Sequence, residues 1–148
     1  MLIRDVMTGN PACCKPSDKL DSVAQLMFER DCGEIPVCDG TNLVGVITDR
    51  DIPCRAVAAG LAPERVAVSE IMTRDVYSVL PDEKLDAALD LMEKRMVRRL
   101  PVVDKNGAII GIVSQTDLVA KIPTLEVARA IKAMSKRSRK RMHAMGVW

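Results

Sequence analysis

Residues 45–51 read Gly-Val-Ile-Thr-Asp-Arg-Asp and residues 111–117 read Gly-Ile-Val-Ser-Gln-Thr-Asp. In each stretch a hydroxyl (Thr48, Ser114) stands three positions before a carboxylate (Asp51, Asp117) at the end of an apolar run. That spacing suits two kinds of chemistry. The first is local: a Ser/Thr-x-x-acid capping box that satisfies the free N–H groups of a helix start. The second is a pair of ligand sites, with the hydroxyl and carboxylate turned outward to a bound molecule. The two compete, because a carboxylate bonded back to its own helix start cannot serve a ligand in the same rotamer. Gly45 and Gly111 fit either reading.

The elements that must position these groups also come twice. A shift of 65 residues lays Met7-Thr8 on Met72-Thr73, Pro16 on Pro81, Lys19-Leu20-Asp21 on Lys84-Leu85-Asp86, and Pro36-Val37 on Pro101-Val102. One extra residue in the second turn moves the shift to 66, and Asp51 then meets Asp117. Residues 18–30 place Leu20, Val23, Ala24 and Met27 on one helical face, as 83–96 do with Leu85, Ala88, Leu89, Met92 and Met96. A strand (35–38, 100–103), a turn (39–42, 104–107) and a second strand (43–47, 108–113) follow, and a second helix begins at Thr48 or Ser114. The sequence therefore predicts an α+β fold of two pseudo-symmetric strand-helix-strand-strand-helix repeats, at 1–61 and 62–121. Each is too small to cover its own sheet, so the two are expected to interlock sheet to sheet.

The apolar runs are far shorter than the roughly 20 residues that cross a bilayer, and the N-terminus lacks a signal-type apolar core, which points to a soluble cytoplasmic protein. The formal charge of +2 divides into a body of −5 and a tail of +7 from Val127 onward. In that tail Val127, Ile131, Met134, Met142 and Met145 recur at near-helical spacing, so residues 124–141 of the 122–148 tail are read as a basic helix that docks on the acidic body or a second subunit. Such a helix could also attract nucleic acid, the less favoured partner.

Five cysteines without a C-x-x-C, and a single histidine at 143, make a zinc site unexpected. Cys13 or Cys14 follows the first Met-Thr opening and Cys38 ends the first repeat's strand; these segments are expected to be neighbours, so a disulfide to Cys38 is the minority reading beside buried free thiols. The chain carries no P-loop, dinucleotide fingerprint or G-x-S-x-G and no histidine in the body, so an enzyme is not expected.

With the Val-Met-Thr and Ile-Met-Thr openings, the Ile-Pro-Val and Leu-Pro-Val strands and the Gly-x-x-Thr/Ser-x-x-Asp motif in both copies, residues 2–121 resemble a tandem CBS-domain protein of the stand-alone two-repeat type. The module is named after cystathionine beta-synthase. The resemblance implies a regulatory module that binds an adenosine-containing ligand (AMP, ADP, ATP, S-adenosylmethionine or NAD) between its repeats, with no required cofactor. It further implies a homodimer through the helices after Pro16 and Pro81, where Leu26, Phe28 and Leu91 could meet, and an unidentified protein target. The motif's chemistry agrees: a helix N-terminus and the hydroxyl of Thr48 or Ser114 suit a phosphate, and Asp51 or Asp117 suits two ribose hydroxyls. In such proteins each Asp motif faces the strand entry of the other repeat. Asp51 is thus expected to face Arg98, Arg99, Leu100 and Pro101, gathering phosphate with Arg50, while Asp117 faces Glu34, Ile35 and Pro36 with Gln115 and Thr116 beside it. The alternative is a redox-responsive or nucleic-acid-associated protein acting through its cysteines or tail.

Overall fold

The computed structural model describes residues 1–121 together with Leu125, Ala128, Arg129, Ile131 and Lys132. Those five tail residues are helical and exposed. The remainder of the expected basic helix at 124–141, its docking, and His143 lie outside the described residues.

Each repeat builds one amphipathic helix and one hairpin. Helix α1 (Leu20–Arg30) buries Leu20, Val23 and Met27, and the later α3 (Leu85–Arg95) buries Leu85, Ala88, Leu89 and Met92. Both start two residues later than the apolar pattern suggests. The preceding residues are taken by a turn, in which the Asp18 carboxylate accepts the Lys15 N–H at 2.8 Å, and by a bridge between Lys19 and Ala67. Both helices end on a residue in the left-handed region, Asp31 (φ 48°) and Met96 (φ 57°), whose N–H groups close the last turn. The hairpins are β2 (Glu34–Asp39) with β3 (Asn42–Thr48), and β4 (Arg99–Val103) with β5 (Ile109–Ser114).

The repeats are joined by exchange. The short β1 (Thr8–Gly9) pairs antiparallel with β5 of the other repeat, and Thr73 bridges Val46 of β3 in the same way. The 3-10 turn Ile3–Asp5 and helix α2 (Val68–Ile71) likewise dock on the start of the opposite repeat's helix, through Ile3 N–H to Glu83 C=O at 2.9 Å and Val68 N–H to Asp18 C=O at 2.8 Å. Ile3, with Val6 and Met7 against it, therefore sits in the core of Leu85, Met92, Leu100, Val102 and Val113. Val66, Val68, Ile71 and Met72 sit in the core of Leu20, Val23, Ile35 and Ile47. The boundary at 61 and 62 divides the chain, but each core contains residues from both sides of it.

Gly45 and Gly111 owe their identity to this exchange. A Cβ at Gly111 would stand 2.7 Å from Met7 Sδ and 3.0 Å from the Thr8 carbonyl; one at Gly45 would meet Met72 Sδ and the Thr73 carbonyl at the same distances. The sulfur can move aside, but the carbonyl belongs to the β1–β5 ladder. Gly111→Ala is accordingly expected to destabilise the fold by about 1–3 kcal/mol, the usual result of overpacking, measured as a lower urea midpoint.

After β3 the chain forms a π-helical turn, Ile52–Val57, rather than the α-helix expected from Thr48. Pro53 carries no N–H, and Ala58 N–H reaches back five residues to the Pro53 carbonyl at 2.9 Å. Gly60 (φ 73°) ends the turn, and the chain crosses to α2. The matching α4 (Gln115–Val119) is a regular one-turn helix capped by Ser114. No helix among the described residues is long and apolar enough to cross a membrane.

Candidate functional site

Both Thr/Ser-x-x-Asp motifs form the capping box. In the first repeat the Thr48 N–H donates to Asp51 Oδ2 at 2.9 Å, and the Asp51 N–H donates to Thr48 Oγ1 at 3.2 Å. In the second, the Ser114 N–H and hydroxyl donate to Asp117 Oδ2 at 2.7 and 2.6 Å, and the Asp117 N–H donates to Ser114 Oγ at 3.2 Å. The cap uses one carboxylate oxygen in each case, which reconciles the two readings: capping fixes the carboxylate and leaves Oδ1 for another partner. For Asp51 that partner is Arg55, whose Nε lies 3.5 Å from Oδ1.

Asp117 opens instead onto a cleft of about 400 Å³ between the repeats. Ser114, Asp117, Ile112 and Arg99 line it from the second repeat, and Arg30, Asp31, Cys32 and Glu34 from the end of α1 and the start of β2. Thr8, Asn10, Pro11 and Ala12, on and after the exchanged β1, complete it. Arg99 comes to this cleft because it pairs with Ser114 across the β4–β5 ladder, and its guanidinium approaches Gly33, where an added Cβ would be 3.5 Å from Nη1. The structure thus brings Arg99 into the cleft with Asp117, and also sets its guanidinium close to Asp49 in the turn that leads to Asp51. Arg50, Arg98 and Thr116 are exposed. Ile35 and Leu100 are fully buried in the two cores and Pro36 and Pro101 are buried, so these four frame the strand entries while their side chains pack inward.

Glu34, expected from the sequence to face Asp117, lines the same cleft. It is the repeat mate of Arg99, and its Oε1 is buried without a hydrogen-bond partner among the described residues. Burial pushes its carboxyl up to about 7; Arg99 opposes the shift, and Asp51 and Asp49 add to it. Between the ordinary value of 4.5 and about 7 the folded chain therefore holds a proton that the unfolded chain has released. This contribution to stability is complete below 4.5 and is lost as pH rises through 7. Glu34→Gln should abolish that decline, raising stability at pH 8 by up to roughly 3 kcal/mol and leaving it unchanged below pH 4.5, as read from urea unfolding across pH. Equal effects of the substitution at both pH values would contradict this.

The expected closeness of the cysteine segments is present. Cys14 bridges Val37, and Cys38 N–H donates to the Cys14 carbonyl at 2.9 Å. The exposed Cys13 thiol donates to the Pro11 carbonyl at 3.4 Å. Cys13, Cys14 and Cys38 are free thiols, and burial pushes Cys14 and Cys38 up to about 12, which disfavours the reactive thiolate.

Comparison with known proteins places this geometry. The family described as CBS domain matches residues 3–52 and 68–124. Hypoxic response protein 1 of Mycobacterium tuberculosis is 33% identical over 132 residues, covering 88% of this chain and 92% of that protein. The structure of Hypoxic Response Protein I with two coordinated zinc ions has a TM-score of 0.76 at 34% identity, covering 83% of this chain and 100% of that one. Among the described residues here, no group of three or more His, Cys, Asp or Glu could hold a metal ion. CBSX2 in complex with AMP is 30% identical with a TM-score of 0.70, over 80% of this chain and 93% of that one. The CBS domain pair of protein MJ0100, in complex with 5-methylthioadenosine and S-adenosyl-L-methionine, is 28% identical with a TM-score of 0.74, over 81% of this chain and 94% of that one.

Proposed function

The chain belongs to the CBS-domain family, with two repeats, and on that premise we propose that it is a regulatory module binding an adenosine-containing ligand in the cleft of Arg99, Ser114 and Asp117. The observation that carries the reading is the meeting, in one cleft of about 400 Å³, of a carboxylate fixed by its cap with an arginine. Asp117 would accept the ribose hydroxyls through Oδ1. Arg99 would meet a phosphate, and Ile112, Pro11 and Ala12 offer an aliphatic surface for adenine where the lining has no aromatic ring. The AMP complex of CBSX2 and the S-adenosylmethionine complex of MJ0100 support this ligand class.

Binding rather than catalysis is the role assigned, with the signal passed to a protein target. A second copy is the other partner we propose: Phe28 on α1 is 88% exposed, beside the half-buried Leu26, an arrangement suited to helix-face dimerisation. Light scattering that gives a monomer mass across micromolar concentrations would remove the dimer. Calorimetric titration under reducing conditions with AMP, ADP, ATP, S-adenosylmethionine and NAD tests the ligand reading. Saturable binding of at least one supports it, and no heat from any of them at millimolar concentration overturns it.

A further inference from the structure

The two motifs are related by the repeat, so each residue that lines the open cleft has a mate on the Asp51 side. Thr8, Ser114 and Asp117 line the open cleft. Their mates are Thr73, Thr48 and Asp51. Between those mates lies a group whose contacts have no counterpart on the open side among the described residues. Arg55, on the π-helical turn four residues after Asp51, sends its guanidinium across to three partners: Asp51 Oδ1 at 3.5 Å from Nε, the Ile71 carbonyl at 2.9 Å from Nη1, and Thr73 Oγ1 at 3.3 Å from Nη1. With Oδ2 already bonded to the Thr48 N–H, both oxygens of Asp51 are engaged, and its side chain is only 14% exposed.

The mate of Arg55 is Lys121, which is exposed. No ion pair between Lys121 and Asp117 occurs among the described residues. The difference has a chemical basis. A guanidinium presents several donors in a fixed plane and can bridge a carboxylate, a hydroxyl and a carbonyl at once, whereas an ammonium is a single point charge on a flexible stem. The π-helical turn contributes as well, since it carries Arg55 and, among the described residues, occurs in the first repeat alone.

We propose that Arg55 is an internal stopper: its guanidinium occupies the ribose-binding groups of the first cleft, so that the chain takes one adenosine ligand at Asp117 and keeps a latent second site for the same ligand class at Asp51. This rests on the adenosine-binding reading above. It goes beyond that reading by fixing the stoichiometry and naming the residue that sets it. The two sides share the hydroxyl and carboxylate of the motif, and on the first Arg55 engages them.

The test is the number of sites per chain, measured by calorimetry on the full chain with AMP and, in parallel, with S-adenosylmethionine. The wild-type protein should give one site. Arg55→Ala should give two, the first of unchanged affinity, and Arg55→Ala combined with Asp51→Ala should return to one. Arg55 is half exposed, so its removal should be tolerated; Arg55→Gln, which shortens and neutralises the side chain, serves if the alanine variant melts early. Two sites in the wild type, or a single site retained in both Arg55 variants, would overturn the stopper and leave the adenosine reading standing. Loss of all binding on Arg55→Ala would also overturn it, by making Arg55 a ligand-holding residue. Absence of binding in every protein would overturn both.

Discussion

Asp117→Ala should weaken AMP binding about 10-fold or more, while Asp51→Ala should leave it within about two-fold. Hydrogen bonds to a charged group are worth roughly 1.5–3 kcal/mol, and a factor of ten in affinity corresponds to about 1.4 kcal/mol. Asp117 lines the open cleft and is capped through Oδ2, whereas the Oδ1 of Asp51 is held by Arg55. Both substitutions remove a capping box, at a cost of about 1 kcal/mol to each repeat, and Asp51→Ala also releases Arg55. A difference between them in affinity therefore reports on the ligand rather than on the cap. Arg99→Ala should weaken AMP to a similar degree as Asp117→Ala and should weaken adenosine much less, since adenosine has no phosphate for the guanidinium. Calorimetry in which Asp51→Ala abolishes binding and Asp117→Ala does not would reverse the assignment of the clefts.

Ile3→Ala should destabilise the protein by about 2–5 kcal/mol, the range for emptying a packed aliphatic position. Ile3 is 0% exposed and packs with Met92, Leu100 and Val113 of the other repeat. The loss should appear there first: in native-state hydrogen exchange, protection of β4 and β5 amides should fall before that of β2 and β3. An equal loss across both hairpins would mean that the cores open as one unit. An early loss confined to β2 and β3 would contradict the exchange of opening segments.

The helices, the hairpins and their repetition were legible in the sequence because each is specified locally. The apolar spacing of Leu20, Val23 and Met27 and of Leu85, Leu89 and Met92 sets a buried helix face without reference to the rest of the chain. The capping box was legible for the same reason, since Ser114 and Asp117 are three residues apart on one turn. Even the neighbouring of Cys14 and Cys38 could be anticipated from their places in adjacent segments of one repeat.

What escaped was whatever depends on the path between elements. Nothing in the Met-Thr pattern announces that Met7 will lie over Gly111 and Met72 over Gly45; that follows from the closure of two cores, each completed by the other's opening segment. That Arg99 also lines the Asp117 cleft depends on pairing between elements in the same way. Its cleft is set by the ladder that pairs it with Ser114, while Gly33 leaves room for the Asp49 carboxylate, which a Cβ there would meet at 2.8 Å. The raised Glu34 carboxyl is likewise a tertiary effect: burial raises it, Arg99 from β4 opposes the shift, and Asp51 and Asp49 from the turn after β3 add to it. The sequence by itself determined a doubled unit with two equivalent helix-start motifs. Only the tertiary structure decided that the motifs differ, because a carboxylate's freedom depends on which guanidinium can reach it: Arg55 on the π-helical turn reaches Asp51, while Asp117 faces the open cleft.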